Sequence, residues 1–359
     1  MCNPPSTSNT PPPPAKNSRS SKSSKSLPLE ERLILPRHNA LKDRADEVEI
    51  IDTHTHIWST FQAYREKYPQ GKHTKVAEFV KATLCTPGSN EVKRVVDVWC
   101  EASDPRKRDE WNETVDSLTG LEGLDYHYVI GAHPHEAEKY TDELETAFIQ
   151  AHARSECVGW GEIGLDYHYD NSPREIQKDV LRRQLRASLK TGLDKAITIH
   201  TREADEDIYE ILTSELPPST RIHVHCFTDS PALATKLLDF FPNLYIGVTG
   251  VVTFSSNLNT PQVLRNMLLR QGEEGGPRFL LETDAPYMPP SNLGPNSALG
   301  MTSKQKFPFN HSGTLPWTAE FIAKILNGGG DETKEGADEW DTVKVLQAAR
   351  ENCRKVYRI

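Results

Sequence analysis

From Val48 onward the chain alternates between two hydrophobic periods. Short runs dense in apolar and β-branched residues fall at 48–57, 92–100, 125–135, 156–167, 195–203, 221–228, 243–254 and 278–287. Each has the length and composition of a strand. Between most of them apolar positions recur at helical spacing. The clearest helix follows Ser172-Pro173-Arg174-Glu175, where Ser172 can cap, Pro173 suits the first helical position and Glu175 completes a capping box. Ile176, Val180, Leu181, Leu185 and Leu189 then form one apolar stripe, and Gly192 marks its end. Eight strand–helix units predict an α/β fold, a (β/α)8 TIM barrel, with functional residues at the C-terminal ends of the strands. An open doubly wound sheet is the competitor, and it needs no closure between the first and eighth strands.

Ahead of the first strand this pattern is lost. Residues 1–44 open with Met-Cys-Asn-Pro-Pro, then run through Pro11 to Pro14 and Ser/Lys repeats ending at Ser26. Such a composition buries too little apolar area to offset chain entropy. They read as a Pro/Ser/Lys-rich tail, disordered to about Ser26, with residues 45–359 as the barrel domain. Lys16, Arg19, Lys22 and Lys25 make the tail basic, and a solvated tail is weighed above a targeting or nucleic-acid arm. Trp58 to Lys75, with Phe61, Tyr64 and Tyr68, reads as an insertion, either a lid or a surface loop with packed aromatics. Ala285 to Leu315 reads as a long irregular loop. Gly328-Gly329-Gly330-Asp331 reads as a connector, since it lacks the Lys-Ser/Thr of a phosphate loop. The segment from Thr342 to Val356 reads as a last helix packed on the barrel.

Composition narrows the class. No apolar run approaches the ~20 residues that span a membrane, and the N-terminus shows no apolar signal core. The six cysteines, Cys2, Cys85, Cys100, Cys157, Cys226 and Cys353, are scattered without a CxxC pair, the usage of buried thiols in a reducing compartment. A cytoplasmic or nuclear protein without membrane contact is expected. A net charge of −9 argues against a broad basic surface for duplex DNA but leaves room for a local positive pocket.

The chemistry collects at strand ends. In Ile50-Ile51-Asp52-Thr53-His54-Thr55-His56 the two histidines lie two apart and point the same way, a ready half-site for a metal. Alone, such a pair is as often an ordinary polar face. Strand four ends in Gly159-Trp160-Gly161-Glu162-Ile163-Gly164-Leu165-Asp166, where a carboxylate between glycines can bridge two ions. His200 ends strand five, His223 and His225 strand six, Glu282 and Asp284 strand eight. Side chains from five strands converge in this way only in a barrel.

In order and content these segments resemble the TatD family of metal-dependent hydrolases, within the amidohydrolase-like barrels. The matching motifs are Asp52-Thr53-His54-Thr55-His56, Gly131-Ala132-His133-Pro134-His135, Gly161-Glu162-Ile163-Gly164-Leu165-Asp166, Ile199-His200-Thr201-Arg202, His225-Cys226-Phe227 and Glu282-Thr283-Asp284-Ala285-Pro286-Tyr287. The resemblance spans about residue 48 to 359. It implies one divalent ion held by His54, His56, Glu162 and Asp284, and a second held by Glu162, His200 and His225. Zinc, magnesium and manganese all suit such ligands. It implies phosphodiester hydrolysis, as in metal-dependent DNases and 3′–5′ exonucleases, with a single-stranded DNA end or a small phosphoester as substrate. Two divalent ions, set against Glu162, Asp284 and a hydroxide, leave the pocket about +1 and attractive to anions. Glu162 and Asp284 are the expected catalytic residues, Asp284 as proton acceptor.

Arg202, two residues beyond His200, is the candidate for gripping a substrate phosphate, weighed equally against a structural salt bridge across the barrel. His133 and His135 are expected to contact substrate rather than metal. His223 is expected to be a buried, hydrogen-bonded residue, and Glu282 to orient His200 or His225. Trp99, Cys100 and Glu101 are expected to narrow the pocket. Where many family members carry an Arg-Asn-Glu-Pro-type segment, this chain reads Asn310-His311-Ser312-Gly313. The divergent second strand, the insertion after His56 and the basic tail are similar to a fungal TatD-related branch described as partners of an anaphase-promoting-complex subunit. The likeness implies a rival role, a barrel retained to bind a protein of the cell-cycle machinery. Hydrolysis of an amide or lactone is the third reading.

Overall fold

The computed structural model describes residues 27–44, 47–101, 105–270, 276–294, 299, 306–328 and 340–359. Eight strands follow one another around one parallel sheet: β1 (Ile50–Thr55), β2 (Val92–Trp99), β3 (Asp125–Ile130), β4 (Cys157–Asp166), β5 (Ala196–Arg202), β6 (Ile222–Val224), β7 (Leu244–Val248) and β8 (Phe279–Leu281). The seam between β8 and β1 is tied by backbone bonds just past β8. Asp284 N–H donates to the His54 carbonyl and His56 N–H to the Ala285 carbonyl, both at 2.9 Å. Beneath them the Asp52 carboxylate accepts from Thr283 N–H at 3.0 Å and from Thr283 Oγ1 at 2.6 Å. Burial, opposed by those bonds, raises the Asp52 carboxyl to about 7. The sheet is therefore the expected (β/α)8 barrel, nearly closed, and the open sheet is excluded.

Helices cover the outside. Two, α1 (Ile57–Lys67) and α2 (Val76–Leu84), lie between β1 and β2. The succession continues with α3 (Pro105–Leu118), α4 (Asp142–His152), α5 (Arg174–Lys190), α6 (Asp205–Glu215), α7 (Pro231–Phe240), α8 (Asn259–Leu269), α9 (Leu315–Leu326) and α10 (Thr342–Tyr357). Among the described residues no helix is long and apolar enough to cross a membrane. One apolar layer lies between sheet and helices. A second, with Val96, Val98, Val129, Tyr245 and Leu280, is joined by Cys353, Val356 and Tyr357 of α10. The last helix thus packs onto the barrel as expected, and Tyr357 OH meets Thr198 Oγ1 at 2.8 Å.

Four expectations are corrected. The stretch after His56 is neither lid nor loop. It forms α1 and the approach to α2, and Phe61 and Tyr64 are buried, stacked on each other and packed against Phe79. Residues 27–44, counted with the tail, fold onto the barrel: Leu33, Leu35 and Leu41 are buried, Asn90 N–H donates to the Leu35 carbonyl at 3.0 Å, and Tyr64 OH donates to Glu30 at 2.6 Å. The tail expected at 1–26 and residues 329–331 of the glycine connector lie outside the described residues. Several strands stop short of their hydrophobic runs. β3 ends before Gly131 and β7 before a 3-10 turn at Gly250–Thr253, because apolar side chains there pack from irregular backbone.

The fourth correction concerns α5. Ile176 and Leu189 are exposed, while Gln177 and Gln184 join Leu181 and Leu185 in the buried face. No side chain caps the helix; Ser172 Oγ instead donates to the His135 carbonyl at 3.1 Å. Both glutamines hold strand ends, sites where backbone groups leave the ladder and need partners. Gln177 accepts from Asp166 N–H at 2.8 Å and donates to its carbonyl at 3.0 Å. Gln184 does the same for Ala132, at 2.8 and 3.0 Å, and also accepts from Trp160 Nε1 at 3.3 Å. Gln184→Ala should therefore strand three buried polar groups and destabilise the fold by about 2–4 kcal/mol. The expected urea transition has a lower midpoint at unchanged slope; an unmoved midpoint would mean that water satisfies these groups.

Candidate metal centre

Glu162 lies within β4, four residues before its end, 2% exposed, and its two oxygens face different histidines. Oε1 lies 2.7 Å from His225 Nε2, 2.7 Å from His200 Nδ1 and 3.4 Å from His133 Nε2. Oε2 lies 3.4 Å from His54 Nε2. On the β1 side, Asp284 Oδ1 is 3.2 Å from His56 Nε2 and 3.7 Å from His54 Nε2. The donors form overlapping groups: His54, His56 and Asp284; His54, Glu162 and His225; His133, Glu162 and His200. Each group brings its ligand atoms within 4.8 Å of one another.

Local backbone makes this approach feasible. A Cβ on Gly164 would sit 1.8 Å from the His200 carbonyl oxygen, so only glycine lets β4 and β5 lie that close beside Glu162. Asp284 and Cys226 follow their strands with φ of 50° and 44°, left-handed values that non-glycine residues adopt at a cost and that cluster at functional sites.

The electrostatics are those of a buried cluster in which carboxylates and imidazoles act strongly on one another. Burial works against a charged Glu162, yet His225, His133 and His200 hold it well below the usual carboxylate range. Burial likewise opposes charge on His56 and His200. Asp284 holds His56 up to about 9, and Asp166 with Glu162 holds His200 up to about 9. His54 and His133 go the other way, burial taking them down to about 3 and about 4. Both ring nitrogens of His54 and Nδ1 of His225 are buried without a hydrogen bond. Orphaned donors or acceptors cost roughly 1–3 kcal/mol each, and imidazole nitrogens facing carboxylates are a donor set that fits divalent cations.

The surrounding residues divide between expectation and surprise. His223 is fully buried, its Nδ1 2.7 Å from Tyr357 OH; its Nε2 lies 2.7 Å from Glu282 Oε2 without a hydrogen bond among the described residues, and His54, His223 and Glu282 form a further group of possible metal ligands. Glu282 accepts from Cys226 N–H and comes no nearer than 3.9 Å to His225 Nδ1. His200 is oriented instead by Asp166, a residue given no role above. Its Oδ2 lies 2.9 Å from His135 Nε2 and 3.3 Å from His200 Nε2, while Oδ1 accepts from His168 and Tyr169 N–H. Holding one ring nitrogen fixes the tautomer and turns the other toward Glu162. Strand alternation, which sets 162, 164 and 166 on one face, is the pattern that reveals Asp166. Asp97, also overlooked, accepts from Ile57 N–H at 2.9 Å, Trp99 Nε1 at 3.0 Å and Tyr126 OH at 2.8 Å.

His133 joins the donors, whereas His135 sits farther out on Asp166. The Arg202 guanidinium lies 4.9 Å from the centre of the Tyr169 ring, and among the described residues it makes no ion pair, so the cross-barrel salt bridge is not found. Trp99, Cys100 and Glu101 line a small recess beside His56 with Trp58 and Lys107; Glu101 pairs with Lys107 at 2.5 Å. Asn310, His311 and Ser312 are buried, and Asn310 Nδ2 donates to the Thr283 carbonyl at 3.0 Å. The departing segment thus supports the backbone behind β8.

The family model described as TatD related DNase matches residues 51–358. The human protein named 3'-5' RNA nuclease TATDN2 is 31% identical over 87% of this chain, which spans only 36% of that protein's length. The Bacillus subtilis protein named metal-dependent hydrolase YabD is 30% identical over 67% of this chain and 80% of its own. Among solved structures, the Escherichia coli TatD homologue YJJV superposes with a TM-score of 0.62 at 22% identity, covering 87% of this chain and 99% of its own, a likeness of fold.

Proposed function

Because the chain belongs to the TatD-related DNase family, we propose that it is a metal-dependent phosphodiesterase that removes nucleotides from a single-stranded 3′ end. The observation that carries this reading is the position of Glu162 between two histidine groups, 2.7 Å from His225 and 3.4 Å from His54. One divalent cation is assigned to His54, His56, Glu162 and Asp284, and a second to Glu162, His200 and His225; zinc, manganese or magnesium suits these ligands. When bound, such cations supply Lewis acidity, acidifying water and neutralising phosphodiester charge.

The chain's own residues do the rest. Asp284, its side chain 13% exposed at the mouth, takes the proton from the attacking water. Asp166 keeps His200 in register. Arg202, free of any carboxylate among the described residues, holds a non-bridging phosphate oxygen, and His133 and His135 border the substrate. The name of the human relative supports a nucleic-acid substrate. Free cysteines throughout the described residues suit the cytoplasm or nucleus. The complete donor set favours hydrolysis over a binding-only barrel, and no observation favours an amide or a lactone.

The test is stepwise shortening of a 5′-labelled single strand by protein stripped and reloaded with each metal. A 3′-to-5′ ladder is expected; no shortening with any metal would refute the reading. Arg202→Ala should raise KM for a phosphodiester about tenfold, the scale of a lost charge-assisted bond, and barely alter that for a neutral ester. Equal effects on both would remove the phosphate grip. Loading at pH 7 should release protons, because His56 and His200, held up to about 9, carry them without metal and must give them up to ligate. Affinity then weakens as pH falls. Calorimetry in buffers of different ionisation enthalpy reads the release, and a buffer-independent heat would contradict it.

A further inference from the structure

The mouth of this site carries two aromatic rings with no packing reason to be exposed. Tyr169, just after β4, is 56% exposed, and Tyr287, just after β8, is 55% exposed. Among the described residues they are the only strongly exposed large aromatics. Tyr169 stands at right angles to His135 at 5.6 Å and to His168 at 4.7 Å, with Arg202 over its ring at 4.9 Å. Tyr287 stands edge-on to His56 at 6.4 Å, and its N–H donates to the Asp284 carbonyl at 3.0 Å. β4 and β8 are four places apart in a ring of eight, so the two rings flank the donors from opposite sides.

We infer that Tyr169 and Tyr287 are stacking platforms for the bases on either side of the scissile phosphate of a single-stranded polynucleotide. The inference rests on the phosphodiesterase reading and adds to it the recognition of the bases. Stacking on an aromatic face is tolerant of sequence, and a cation over the Tyr169 ring fixes it in place. Arg202 then reaches a phosphate next to a stacked base. Bases in a duplex are already stacked and paired, so the arrangement selects unpaired strands.

The test compares single strands of about ten nucleotides, DNA and RNA in separate arms, with abasic strands of equal charge, by KM of the metal-loaded enzyme. The wild-type protein should prefer base-bearing strands by about a hundredfold. Tyr169→Ala and Tyr287→Ala should each reduce that preference about tenfold, within the range of one lost stack, and Tyr→Phe at either position should retain it. A preference in either arm supports the inference and identifies the sugar accepted. Abasic strands cleaved as well as base-bearing ones would overturn it and leave the phosphodiesterase reading standing, as would a preference untouched by both alanine variants. If no strand and no small phosphodiester is cleaved with any metal, the underlying reading fails and the inference falls with it.

Discussion

Glu162→Gln should lower kcat/KM on single-stranded oligonucleotides by ~10³-fold or more, with loss of bound metal and little change in circular dichroism. Glutamine keeps the shape of the side chain but removes the one negative charge shared by His54, His133, His200 and His225, all within 3.4 Å of its oxygens. Glu162 is 2% exposed, so bulk solvent compensates little for the loss of that charge. Cations gathered by both histidine groups therefore lose their common ligand together. An enzyme retaining a tenth of its activity would show that Glu162 merely organises hydrogen bonds.

Asp284→Asn should cost ~10²–10⁴-fold in kcat, the range for a lost general base, while binding near His200 and His225 survives. The substitution is chosen for its backbone: Asp284 has φ of 50°, and asparagine tolerates the left-handed region as readily as aspartate. Folding is then retained, and the loss reports chemistry. His56 is the companion readout, because Asp284 Oδ1 at 3.2 Å supports its proton; without that charge its imidazole resonance should titrate at lower pH in metal-free protein. Unchanged kcat would move the proton to another acceptor.

The barrel and its donors were largely legible in the residues because both follow from strand alternation. His54 and His56, His200, His225 and Asp284 lie at or near the ends of apolar runs, Glu162 sits within one between glycines, and a closed sheet leaves them one place to meet. Helix α5 was harder. Its buried face includes Gln177 and Gln184, and hydrophobic periodicity cannot anticipate glutamines buried to satisfy the backbone at Asp166 and Ala132. The segment after His56 was misread for a related reason: its aromatics pack among themselves and against Phe79, which looks in sequence like a sticky lid. Asp166 lies within the segment Gly161–Asp166, but its partners His135 and His200 come from the turn after β3 and from β5 and are adjacent only in the fold.

The most direct measurement of the account is the number of divalent cations bound per chain at saturation, by elemental analysis of stripped and reloaded protein alongside its Glu162→Gln variant. Close to two in the parent chain and a loss at both positions in the variant is the result the geometry predicts. A parent chain that takes up none, or a variant that still holds two, would contradict a carboxylate shared between two cations.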